Sequence, residues 1–121
     1  MSLTNQSLGR SGEEIAAHHL TQKGYKVLER NFRCGKNEVD LIIRKDEVIA
    51  FVEVKLRRST GYGHPLEAIT IAKQKELAKA AECYIRKFPS SNTIYRFDVV
   101  GILADGIQEE ITHLEDAFRL F

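Results

Sequence analysis

Apolar and polar positions change period along this chain, and the changes mark out its elements. Ile15, Ala16, His19 and Leu20 recur at helical spacing, behind Ser11 and Glu14 as a capping box and before Gly24 as a stop. Leu8 continues that face, so a start near Thr4 is the alternative, with Gly9 and Gly12 weakening the added turn. Tyr25 to Phe32 alternates as a strand, and Arg33 to Asn37, with Gly35, reads as a loop. Two β-rich runs follow, Glu38 to Ile43 and Val48 to Leu56, and predict a hairpin about Asp46-Glu47. Ile71, Gln74, Ala78, Ala81, Ile85 and Phe88 step by three and four behind a Thr70 cap, which predicts a second helix ending near Phe88 and Pro89. Ile94 to Leu103 is a strand, Asp105-Gly106 a turn and Ile107 to Ile111 the returning partner. Leu114, Ala117, Phe118 and Phe121 then predict a short closing helix.

That order gives an α/β chain with a mixed sheet flanked by helices. At 121 residues and 43% hydrophobic content it is expected to form one domain, residues 1–121. No apolar run is long enough to span a bilayer, and the first residues lack the apolar middle of a signal peptide, so a cytoplasmic location and no membrane partner are expected. Cys34 and Cys83 are too few for a zinc site and, in a reducing compartment, are expected as free thiols. The net charge of +1 is uneven: residues 30–58 carry eight Lys or Arg against five acids, residues 98–121 six acids against Arg119. The first stretch attracts a polyanion and the second repels it.

The hairpin carries charges where strands usually carry apolar residues. Facing positions of an antiparallel hairpin sum to a constant. A two-residue turn at Asp46-Glu47 sets that constant at 93, whereas a longer loop or a bulge, for which the unfavoured Asp-Glu pair leaves room, would shift it. Asp40 then faces Glu53 and Glu38 faces Lys55, all on one side of the sheet. Two close carboxylates repel, so one keeps its proton or a cation sits between them. Oxygen donors suit Mg2+ or Mn2+ with phosphate and water completing the shell, and Lys55 is placed to orient a water or stabilise charge on phosphate. The competing structural reading is a solvated acid pair bridged to Lys55, which Ile49 and Phe51 on the same face disfavour. Arg57 and Arg58 end the second hairpin strand beside the loop Ser59 to Pro65, where Tyr62 and His64 are candidate substrate contacts. Arg96 and Asp98 share a face of the later strand and either pair with each other or leave Arg96 for a phosphate.

Gly12-Glu13, Gly24-Tyr25, Asn31-Phe32, Glu38-Val39-Asp40-Leu41-Ile42, Phe51-Val52-Glu53-Val54-Lys55, Lys73 and Arg96-Phe97-Asp98-Val99 together resemble the YraN family of small bacterial proteins, over nearly the whole chain. A small departure is Asn37, where most members carry glycine. That family is similar to the PD-(D/E)XK nucleases, which implies a restriction-endonuclease-like fold in αβββαββ order. In that pattern Asp40 and Glu53 would ligate the metal with the Val54 carbonyl, and Lys55 would be the lysine of the ExK motif. Glu13 would be the supporting helix acid, and Gln74 or Lys73 the auxiliary polar position on the second helix.

The resulting expectation is a Mg2+- or Mn2+-dependent endonuclease acting on DNA, branched or single-stranded. Asp40, Glu53, Lys55, Glu13 and Gln74 would serve catalysis, and Arg57, Arg58, Lys73 and Arg96 would contact nucleic acid. Many nucleases of that fold act in pairs, so a homodimer is a candidate assembly. The alternatives are a nucleic-acid-binding module that does not cleave, and an interaction partner in a DNA-processing complex with the acidic tail as its contact.

Overall fold

Five strands form one sheet with a helix on each side in the computed structural model, which describes residues 5–58, 69–104 and 109–119, with side chains from residue 12 onward. The order is α1 (Asn5–Gln22), β1 (Lys26–Cys34), β2 (Asn37–Lys45), β3 (Val48–Arg57), α2 (Ile71–Lys87), β4 (Ile94–Ala104) and β5 (Glu109–Phe118). This is the αβββαββ order expected from the sequence. The strands lie in chain order across the sheet. Only the β3–β4 pair is parallel, because α2 crosses over between those strands.

Alternation along the strands divides the core in two. On one face Leu41, Ile43, Ala50, Val52, Val100 and Ile102 pack under Ala16, Ala17 and Leu20 of α1. On the other, Ile42, Ile49, Phe51 and Phe97 pack under Leu77, Ala80, Ala81 and Tyr84 of α2. The α2 stripe is therefore rotated from the expected one: Ala81 lies on it, but Ile71 and Phe88 are exposed. Thr70 caps this helix as expected, its hydroxyl accepting from the Lys73 N–H at 3.1 Å.

The ends of α1 behave differently. Gly24 stops it in a left-handed conformation (φ 98°), with the Tyr25 N–H on the Leu20 carbonyl and the Gly24 N–H on that of Thr21. The start is the earlier alternative, so Ser11 lies inside the helix and is not its cap.

Two further expectations are corrected. The segment beginning at Leu114 is not a helix: β5 runs unbroken to Phe118, paired with β4. Its helical spacing reflects a bulge at Asp116 (φ 53°), which shifts the register between the Val99–Leu114 and Phe97–Phe118 pairs. Cys34 and Cys83 are not free thiols but a disulfide joining the end of β1 to α2. The fold brings them together on the α2 face across 49 residues, a contact that spacing alone does not reveal. The segment Arg33 to Asn37 is also tighter than a loop, because Cys34 pairs with Asn37 around Gly35 (φ 62°). The expected loop Ser59 to Pro65, the Asp105-Gly106 turn and Phe121 lie outside the described residues.

Candidate functional site

Lys45 pairs with Val48 around Asp46-Glu47, and Asp46 takes the positive φ of 54° that this turn needs and an aspartate tolerates. The hairpin register therefore sums to 93, and it runs up the strands to the Leu41–Val52 pair. There the β2–β3 ladder ends, one step before Asp40 and Glu53. In its place the Val54 N–H donates to Asp40 Oδ2 at 2.8 Å. The carboxyls of Asp40 and Glu53 hydrogen-bond each other across the opened end.

The site is half-buried, and burial governs its protonation. Burial and the neighbouring Asp40 charge push the Glu53 carboxyl up to about 7. Asp40 is raised too, mainly by burial, with the Val54 N–H and Lys73 pulling it back down. Lys73 Nζ lies 3.7 Å from Glu53 Oε2 and 3.9 Å from Glu76 Oε2. Lys55 also favours the ionised Glu53, more weakly. The pair thus holds a shared proton near neutrality, beside two lysines. Glu53, Lys55, Ile69, Thr70 and Lys73 line an open pocket of about 200 Å³ next to it.

Glu13 arrives from α1. Its carboxyl is raised first by burial and then by Asp40, while a hydrogen bond from the Asn31 side chain and the charge of Arg30 oppose the rise. Among the described residues no three His, Cys, Asp or Glu side chains converge as a ready metal cage. Two carboxylates close together, with Glu13 alongside, are what the site offers.

Not every expected residue joins them. The side-chain amide of Gln74 is taken up by the Ile69 carbonyl, to which it donates at 3.0 Å. Glu38 pairs with Arg33 of β1 at 2.9 Å, although the hairpin register extended to position 38 would set it opposite Lys55. Arg57 bonds the Leu56 carbonyl at 3.2 Å, and Arg58 is exposed at the end of β3. Arg96 lies on the α1 face, in register with Ala50, where both its Nε and Nη2 donate to Asp98 at 2.8 Å. Asp98 is buried and also accepts from His113 Nε2 at 2.7 Å and the Asp116 N–H at 3.0 Å. Burial alone would raise Asp98, but these donors outweigh it and hold the carboxyl below its usual range. The pairing alternative for Arg96 is the one observed. Tyr62 and His64 lie outside the described residues.

The family model described as "Uncharacterised protein family UPF0102" matches residues 12–102. The chain belongs to the UPF0102 family. A UPF0102 protein of Chloroherpeton thalassium is 49% identical over 124 residues, covering 96% of each chain. Another, of Syntrophomonas wolfei, is 48% identical over 114 residues, 94% of this chain and 99% of its own. A third, of Geobacter metallireducens, is 44% identical over 120 residues, 99% and 98% of the two chains. The YraN resemblance read from the sequence is to this same family. The stretch matched to UPF0102 begins beside Glu13 and includes Asp40, Glu53, Lys55 and Lys73.

Two contacts of the cluster were hidden in the sequence. Lys73 was expected on nucleic acid or as an auxiliary group, and its Nζ also lies 3.7 Å from Glu53 Oε2. The periodicity that placed α2 gave its phase incorrectly, so the contact of Lys73 with Glu53 could not be read from it. Asn31 was read only as part of a strand and a motif. Its signal is the residue type itself, since asparagine is disfavoured within strands.

Proposed function

We propose that this chain is a Mg2+- or Mn2+-dependent nuclease that hydrolyses phosphodiester bonds in DNA. The observation that carries this reading is the Asp40–Glu53 pair: two half-buried carboxyls in contact, one raised to about 7, beside Lys55 and Lys73. Two such groups destabilise each other's ionised form, and a divalent cation relieves that repulsion as a proton does. Oxygen donors without sulfur or imidazole suit a hard cation, so the residues present fit the group. Asp40 and Glu53 would hold it, with the Val54 carbonyl as a further donor. When bound, the ion polarises the phosphate and lowers the pKa of a coordinated water.

The chain's own residues do the rest. The Val54 N–H fixes one Asp40 oxygen and so orients the carboxylate. Lys55, on the pocket side of Glu53, stabilises the negative charge that develops on the phosphoryl oxygens. Lys73 pairs with Glu53 and is near enough to turn to a phosphate when DNA occupies the pocket. Arg57 and Arg58 extend the positive surface along the end of β3 and make backbone contacts. Arg96 has no part in this surface, because Asp98 holds it on the opposite face.

Purified protein incubated with linear, branched and single-stranded DNA, and with RNA, in Mg2+ or Mn2+ tests the proposal beside Asp40→Ala. The expected result is DNA cleavage reduced at least about 100-fold in the variant, since loss of an electrostatic catalytic group costs on that order. Equal cleavage by both proteins would assign the activity to a contaminant. A binding module that does not cleave would show salt-dependent DNA binding that survives Glu53→Ala, with no cleavage by either protein.

A further inference from the structure

Besides the register shift between Val27 and Glu29, the edge strand β1 departs from regular geometry at one polar residue, Asn31. Arg30 pairs with Leu41 and Phe32 with Val39, so Asn31 lies across the strands from Asp40. The hairpin register, carried one step beyond Leu41–Val52, sets Glu53 on the far side of Asp40. Asn31, Asp40 and Glu53 thus form a row across three strands. Asn31 is in the left-handed region at φ 51°, and its exposed side chain hydrogen-bonds Glu13, which α1 brings in from above the sheet.

We propose that Asn31 is the positioning residue that ties Glu13 to the acid row and so completes the negative end of the cation site. The inference rests on the reading of Asp40 and Glu53 as that site. Two requirements meet at this position, and few residue types satisfy both. A φ of 51° favours Gly, Asn or Asp, and strains other side chains. Glycine would accept the backbone but has no amide to donate. Aspartate would accept it too, but would set another carboxylate against Glu13 and Asp40. Asparagine takes this backbone and donates to an acid without adding charge. Glu13 otherwise faces burial and the repulsion of Asp40 and Glu38, which the charge of Arg30 offsets in part. Held there, its charge supports a divalent ion that two carboxylates alone bind more weakly.

The test is a double-mutant cycle with Mn2+ alone as the probe, read by calorimetry and needing no cleavage. Asn31→Gly keeps the left-handed backbone and removes the amide. Its unfolding midpoint should stay near that of the parent, while Mn2+ affinity falls about tenfold, as for other groups that orient a ligand from behind. In a Glu13→Ala background the same substitution should cost nothing more, because Asn31 acts through Glu13. Undiminished Mn2+ affinity in Asn31→Gly would overturn the assignment, as would an equal loss with Glu13 already removed. Failure of the parent protein to take up Mn2+ would instead bring down the reading of Asp40 and Glu53, and this inference with it. In metal-free buffer the Asn31 side-chain amide resonances should move on Glu13→Ala. Their staying fixed would remove the hydrogen bond on which the proposal stands.

Discussion

Glu53 is a carboxyl that the fold keeps protonated well above the range where the unfolded chain releases its proton. In the unfolded state it ionises near 4.5, and in the native state near 7. Between those values the native state binds the extra proton, so stability declines as pH rises through that window and levels off above it. Glu53→Gln keeps a donor toward Asp40 and removes the charge. In metal-free buffer the variant should be the more stable protein at pH 8, by on the order of 2 kcal/mol, and the two should converge below pH 4.5. Urea titrations at pH 4.5, 6 and 8 read this directly, and a wild-type pH slope retained in the variant would place the proton elsewhere. At this scale the sequence was most informative where geometry is arithmetic: a two-residue turn fixes a sum, and the sum sets Asp40 against Glu53. It was least informative about Lys73 and Asn31. Their roles depend on the phase of α2 and on one residue's φ, and neither follows from spacing.

At the scale of elements, α1 shows how a weak local signal yields to packing. Gly9 and Gly12 each disfavour helix, and Ser11 with Glu14 resembles a start, yet the helix continues back to Asn5. Sheet contacts further along supply what propensity lacks. A Cβ added at Gly12 would meet the Leu56 side chain at 3.6 Å, an ordinary van der Waals distance, and no positive φ is needed there. Gly12→Ala should therefore stabilise the protein by about 0.5 to 1 kcal/mol, the helical cost of glycine relative to alanine. Denaturant unfolding checks the sign, and a loss of stability would mean that α1 lies closer to β3 than described. The reverse lesson comes from β5. Leu114, Ala117 and Phe118 sit at helical spacing, but the left-handed Asp116 inserts a bulge, and Phe118 returns to the sheet to stack on Phe97 at 4.7 Å. Period alone cannot separate a bulged strand from a short helix. The element order and the β2–β3 register were legible because each rests on a strong punctuator or a tight turn. The end of the chain has neither among its described residues.

For the molecule as a whole, one sheet separates two helix-capped cores, and the halves of the candidate site come from both sides. Glu13 belongs to α1, Lys73 to α2, and Asp40 and Glu53 to strands between them. Among the described residues no helix is long and apolar enough to cross a membrane. Asp98, Glu115 and Asp116, half of the acids counted in the last 24 residues, are engaged with Arg96, His113, Lys23 or Arg119. That pairing weakens the tail's standing as a charged contact for a partner. The covalent tie between the layers is Cys34–Cys83, which fastens the β1–β2 turn to α2 and closes a loop of 49 residues. Constraining a loop of that length removes denatured-state entropy worth about 4 kcal/mol at most. Reduction should therefore lower the free energy of unfolding by about 2 to 4 kcal/mol. The native layers should remain intact, because Phe32, Val39 and Tyr84 pack in the same core as the bond. Equilibrium unfolding with and without dithiothreitol measures the difference. Cys34→Ala/Cys83→Ala serves as the control, and it should match the reduced protein and ignore reductant. If reductant shifts the double variant equally, the effect lies outside the bond. If it shifts neither protein, the two sulfurs are not linked in solution. A loosened β1–β2 turn also leaves Asn31 and Asp40 less firmly placed, so Mn2+ affinity should fall on reduction in the parent protein alone.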